Sequence, residues 1–301
     1  MRRRVLLLSS SAAVFAAASL TSCAAPLSAN DLCTPAFSVG ALSASVTVSG
    51  ETANELQINV GKNIQTFTAQ RSVVGSENTA SELVSENDIV AANLAYVNAT
   101  TGELLQVSQT FGTGSADSFF LANAGAGEIV AGTLCAREGD TLAIALSPQE
   151  SIALGVVDGN AVVITEIVEV FRPRAEGTKR ALPNGFPAVT TDHTGRPGIV
   201  LPPQQPPTET RSAVRIQGTG EKVQADDQVI GQILDVSWSG QIEQNSWTTG
   251  PTNFGSEADI VQTQATFRSA LTGVPVGSQV VVIEPTADGA RVSVIDVLAV
   301  A

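Results

Sequence analysis

The run Phe267-Arg-Ser-Ala-Leu-Thr-Gly-Val-Pro-Val-Gly-Ser-Gln-Val-Val-Val-Ile-Glu-Pro-Thr286 decides how the C-terminal part of this chain is read. Gly277 closes a loop. Gln279 to Ile283 has the branched, apolar character of a strand, and Pro285 follows it. The chain then closes on Val294-Ile-Asp-Val-Leu-Ala-Val300. The same order occurs earlier: Gly139, a strand from Thr141 to Leu146, Pro148, and a closing strand Ile164-Thr-Glu-Ile-Val-Glu-Val170. Glu166 and Asp296 fall in register, and Asn87-Asp88-Ile89-Val90 matches Asp226-Asp227-Gln228-Val229. This predicts an internal duplication, although alternating strands alone produce some of the similarity.

Working outward, residues 37–171 and 211–301 read as two β-rich blocks. Further strand patterns are Ala44-Ser-Val-Thr-Val48 and Ile89-Val-Ala-Ala-Asn-Leu-Ala-Tyr-Val97. Residues 172–210 differ: they hold Pro173, Pro183, Pro187, Pro197, Pro202, Pro203, Pro206 and Pro207, with almost no apolar periodicity. Proline at that density predicts an extended, semi-rigid spacer. The expected class is mainly β (α+β), with two tandem domains joined by this spacer, and the length suffices for both.

The N-terminus carries an export signal. Arg2, Arg3 and Arg4 precede Val5-Leu6-Leu7-Leu8, a serine break, and an Ala-rich apolar run from Ala12 to Leu20. That is the layout of a secretory signal peptide, too short for a membrane-spanning helix. Leu20-Thr21-Ser22-Cys23 resembles the lipobox of bacterial lipoproteins. The resemblance implies removal of residues 1–22 and acylation of Cys23, with residues 23–36 as a tether. Each buried methylene contributes ~0.8 kcal/mol, so two or more chains would hold the protein at the outer face of the cytoplasmic membrane. The remaining cysteines, Cys33 and Cys135, form an even pair in an oxidising compartment; a disulfide is the expectation and two buried thiols the alternative.

The net charge of −13 becomes three units more negative without Arg2, Arg3 and Arg4. No basic patch is left for nucleic acid. His193 is the only histidine and lies in the Pro-rich stretch, which argues against a Ser-His-Asp site or a zinc site. Gly218-Thr219-Gly220 lacks the Gly-Lys-Ser/Thr of a phosphate loop. No metal and no cofactor are expected.

The second block carries a family resemblance. In order it holds Gln217-Gly-Thr-Gly-Glu-Lys-Val223, the turn Asp226-Asp227, a strand from Val229 to Leu234, Gly240-Gln-Ile-Glu-Gln-Asn-Ser-Trp247, Gly250-Pro-Thr-Asn-Phe254, the run from Phe267 to Thr286, and a last strand from Val292 to Leu298. This resembles the FKBP-type peptidyl-prolyl cis-trans isomerase family, most closely its two-domain actinobacterial lipoproteins. The resemblance covers about 90 residues clearly, and the first block more weakly. It implies two FKBP-like domains, each an antiparallel sheet wrapped around a short helix, here Thr266 to Thr272. It also implies an isomerase acting on proline-containing segments of exported proteins.

Rotation about an X–Pro bond faces ~18–20 kcal/mol and takes tens to hundreds of seconds unaided. An apolar pocket that desolvates the amide favours its twisted form, with no acid or base needed. The resemblance places the pocket floor on Phe267, a wall on Phe254 and a nearby aromatic on Trp247. Elsewhere this chain departs from the pattern. The family's strand tyrosine falls on Ile233, its Phe-Asp pair on Glu243 and Gln244, its Val-Ile pair on Thr263 and Gln264, and its late-strand phenylalanine on Ser293. In the first block Leu94 and Leu154 replace tyrosines, Ile129 holds the floor position, and Phe119 or Phe120 the wall. Two readings follow: an anchored isomerase and folding factor, or a non-catalytic FKBP-like peptide- or protein-binding lipoprotein. Strand content alone would also suit an immunoglobulin-like sandwich.

Overall fold

The computed structural model describes residues 33–76, 81 and 83–300. The leader 1–22, Cys23 and the tether as far as residue 32 lie outside the described residues. From Cys33 onward the chain forms one compact unit. Among the described residues no helix is long and apolar enough to cross a membrane.

Near the start, α1 (Ala41–Ala44) and a hairpin of β1 (Thr47–Ser49) and β2 (Gln57–Asn59) precede the first large sheet. The expected strand from Ala44 therefore begins late, because its first residue ends α1. The sheet is built from β3 (Gln70–Ser76), β4 (Ile89–Asn98), β5 (Leu104–Val107), β6 (Ser118–Leu121), β7 (Asp140–Ala145) and β8 (Ala161–Phe171), in the order β3-β7-β8-β4-β5 with β6 also on β4. Two short helices, α2 (Glu128–Ala131) and α3 (Pro148–Ala153), flank β7.

The Pro-rich stretch is not a bare spacer. It holds β9 (Thr178–Lys179) and a hairpin of β10 (Ala188–Thr191) and β11 (Pro197–Val200), with His193 in its turn. β9 joins the second sheet through β12 (Arg211–Gln217). That sheet continues with β13 (Val229–Ser237), β14 (Ile242–Asn245), β15 (Thr252–Asn253), β16 (Gln279–Thr286) and β17 (Gly289–Val300). Its order is β14-β13-β17-β16-β12-β9, with β15 also on β13. Helices α4 (Ser246–Thr249) and α5 (Ile260–Thr263) and a 3-10 turn, Thr266–Leu271, complete it. Every large-sheet pairing is antiparallel, as the resemblance implied.

Six strands of the second sheet repeat the first sheet strand for strand, and β9 is an addition at its edge. Asn93 stands opposite Glu166 as Gln232 stands opposite Asp296. Both central pairs slip by one residue at the same place, between Ala91 and Ala92 and between Ile230 and Gly231. Ser108 accepts the Leu94 amide as Ser246 accepts that of Ile233. Such bulges bend a strand locally, so their recurrence marks a shared architecture rather than shared composition.

The central strands are apolar on both faces because both faces are covered. One face of each sheet packs on a short helical turn: Val90, Leu142 and Val163 near α2, and Ile233, Val280 and Ile295 near Phe267 and Leu271. The other face is covered by the segment preceding the sheet. In the first half Leu42, Val46 and the β1–β2 hairpin cover Ala143, Val162 and Ile164. In the second, Leu182, Phe186, Val189, Ile199 and Leu201 cover Val281, Ile283, Val292 and Val294. This is why residues 172–210 cannot stand apart: the sheet would expose those branched side chains to water. Trp238 joins this layer and donates its indole N–H to the Gln204 carbonyl.

Cys33 is bonded to Cys135, with Cα atoms 5.8 Å apart.

Candidate functional site

The residues singled out by the resemblance converge on one face of the second sheet. The amide of Phe254, just after β15, donates to the Val229 carbonyl at 2.8 Å, which aims its ring across β13. Gly231 makes room for it: a Cβ there would lie 2.7 Å from the ring and 2.3 Å from the Asp296 carbonyl oxygen. Phe267 rises from the 3-10 turn. The two rings meet edge to face, with centroids 5.2 Å apart and planes at 82°. They are 2 % and 5 % exposed and belong to the core that contains Ile233, Leu271, Val280 and Ile295.

The floor and wall positions are thus in contact with each other. Phe254, Phe267 and Trp247 line none of four cavities of about 410 to 750 Å³ among the described residues. Trp247 lies in α4, half-buried, and its indole N–H has no hydrogen-bond partner among the described residues. Glu243, Gln244 and Gln264 are exposed rather than plugging the site.

Polar groups stand further along the same face. Asp235, on β13, is opposite Ser293 on β17, and both are buried. Burial pushes the Asp235 carboxyl up to about 6; Ser293 and Arg291 temper this, though Asp235 Oδ1 and Ser293 Oγ close no hydrogen bond of good geometry. Arg291 binds Glu284 at 2.8 Å and donates to Thr266 Oγ1 at 2.8 Å, and Thr266 donates to Glu284 at 3.0 Å. A charged network therefore adjoins the aromatic pair, next to the very turn that carries Phe267. Sequence reading missed it. The available signal was Glu284 and Arg291, charged residues interrupting otherwise apolar strands and paired in register.

A second buried acid fastens the chain. Asp296 accepts the Ala175 amide and the Gln279 side-chain amide, each at 2.7 Å. Glu166 does the same in the first half, accepting from Asn93 and Gly112. Burial pushes the Asp296 carboxyl up to about 7, against the pull of these donors and of Arg215. A carboxyl raised above its unfolded value of ~3.9 stabilises the fold fully below that value, and the benefit is lost as pH rises through about 7. The expected result is a loss of about 2–3 kcal/mol between pH 5 and pH 8. Urea titrations at the two pH values should show it, with a much flatter profile for Asp296→Asn.

The first half contributes a cleft of about 450 Å³. Phe119, Phe120 and Leu121 of β6 and Val130 of α2 line one side, and Gly250 and Pro251 border the other. Phe120 lies opposite Val90, as Phe254 binds Val229, so it occupies the wall position of its half. Ile129 packs against the first core in the place Phe267 takes in the second. No group of three or more metal-ligating side chains occurs among the described residues.

With this geometry in hand, comparison with known proteins adds little. No family model matches the chain, and no curated protein does. Its structural neighbours include FKBP domains. The three FKBP domains of wheat FKBP73 match with 13 % identity and a TM-score of 0.31, over 77 % of this chain and 94 % of that one. FkpA from Escherichia coli matches with 17 % identity and a TM-score of 0.26, over 39 % of this chain and 52 % of its own. Scores at this level carry no weight for activity.

Proposed function

We propose that this chain is a lipid-anchored, extracytoplasmic FKBP-like protein of the two-domain lipoprotein type. In this reading its aromatic pocket has closed, and it binds polypeptide without isomerising it. The observation that carries the reading is the edge-to-face closure of Phe254 onto Phe267 inside the core. An isomerase must seat a proline ring on such a floor and take the amide out of water. Here the wall covers the floor, and the groups beside it are the buried Asp235 and Ser293 and the half-buried Arg291, polar where an isomerase pocket needs apolar lining. The lipobox at Cys23 supports attachment to the outer face of the cytoplasmic membrane.

An assay of cis–trans interconversion in a proline peptide, run with the full chain, tests this. The expected rate equals the uncatalysed one, over tens to hundreds of seconds. Phe267→Ala should leave that rate unchanged while costing about 3–5 kcal/mol in urea unfolding, the signature of a core aromatic. Acceleration that disappears in Phe267→Ala would restore the isomerase reading. Cys23→Ala should move the protein from the membrane fraction to the soluble one.

A further inference from the structure

Among the described residues β6 pairs with β4 alone, so alternate amide and carbonyl groups along Ser118–Leu121 have no described strand to bond to. All four residues are half-buried. An open strand edge of this kind is a template for another extended chain. It borders the cleft of about 450 Å³ described above. Among the described residues no charged side chain lines that cleft, although the chain carries a net charge of −13. Phe119, Phe120, Leu121 and Val130 make one side apolar, and Pro251 faces them from the second half.

We infer that this cleft is a docking site for an extended, uncharged stretch of polypeptide with apolar side chains, added as a strand to the free edge of β6. The inference rests on the binding-module reading and places the binding surface away from the closed aromatic pair. Three properties of the site select this occupant. Unpaired backbone groups call for a partner with a regular, extended backbone. The apolar side favours branched or aromatic side chains on the alternate positions that face it, while Asn123, Thr248 and Thr249 make the rest of the lining polar but uncharged. The absence of any charged lining residue leaves a charged occupant unpaired and desolvated.

The test uses the full chain and a fluorescein-labelled, end-blocked peptide of alternating valine and threonine. Binding is followed by anisotropy, and amide hydrogen exchange is followed at residues 118–121. The expected outcome is saturable binding with slowed exchange at those residues. The same peptide N-methylated at alternate amides should bind about tenfold more weakly, the loss of one or two backbone hydrogen bonds. Phe119→Glu should weaken binding similarly while leaving the far-UV circular dichroism unchanged. Equal binding of the N-methylated peptide, protection confined to another strand edge, or no binding at millimolar peptide would each overturn the inference. Isomerase activity in the same protein would overturn the preceding section and leave this result standing, because the two are read on different residues.

Discussion

Reducing the Cys33–Cys135 bond is expected to destabilise the fold by about 4–5 kcal/mol, a large share of the ~5–15 kcal/mol that holds an ordinary domain folded. The bond joins residues 102 positions apart, so it removes a large share of the unfolded chain's freedom. The native conformation is held on the Cys135 side, where its amide donates to the Val84 carbonyl at 2.9 Å. Cys135 also sits at φ 63, in the left-handed region, where the second half has Gly273 at φ 80. A non-glycine residue there is strained, and the crosslink offsets that strain. Two variants separate the two contributions. Cys33→Ser loses the bond and keeps the strained residue. Cys135→Gly loses the bond and relieves it, and should be the more stable by about 1 kcal/mol. Urea unfolding with and without reductant supplies the comparison. A loss under ~1 kcal/mol on reduction would mean that the unfolded chain is already compact around this loop.

Arg268→Ala should cost a comparable amount, about 3–5 kcal/mol, although among the described residues no acid lies within ion-pair distance of Arg268, and its partners are backbone carbonyls and the Thr272 hydroxyl. Arg268 is among the largest fully buried side chains of the protein. Its Nε donates to the Gly255 carbonyl at 2.8 Å, and its Nη2 to those of Gln224 and Asp227 at 2.8 and 2.9 Å. Nη1 donates to Thr272 Oγ1 at 3.1 Å. One guanidinium thus ties the loop before β13, the turn after Phe254 and the end of the 3-10 turn. Truncation leaves three carbonyls without their donor in a space an alanine does not fill. Arg268→Lys should recover only part of the loss, because an ammonium cannot reach three carbonyls in a planar fork. Thermal unfolding should drop by about 10 °C for alanine. A drop of only ~2 °C would mean that water takes over the acceptors. The first half has Val130 at the matching position, two residues before the tight turn that leads to Cys135, so it forgoes this clamp and carries the disulfide instead.

These two cases show where the sequence is readable and where it is not. Cys33 and Cys135 were legible as a pair from parity and compartment alone. Arg268 was not, because an arginine on a short turn looks like any surface cation. Its role depends on three carbonyls from segments up to 44 positions away. Asp235, Ser293 and Arg291 were opaque for the same reason. Each is unremarkable alone, and their meeting follows from the register of β13, β16 and β17.

The aromatic pair lies between these extremes. Phe254 and Phe267 could be named from family-like order, and they do approach one another. Whether a gap remains between them is a matter of a few ångströms, set by Gly231 and by the path of the turn at Thr266–Leu271. No residue pattern encodes that distance.

By itself the sequence determined the strand runs, their duplicated order and the shared acid of Glu166 and Asp296. These depend on local composition, on side-chain periodicity and on recurrence along the chain. Only the tertiary structure decided what covers the strands. Runs such as Ala161-Val-Val-Ile164 demand burial on both faces, but burial is non-directional and accepts any apolar partner. The Pro-rich segment therefore reads as a spacer until its Leu182, Phe186 and Ile199 are seen on the second sheet and its Ala175 amide on Asp296, 121 positions away.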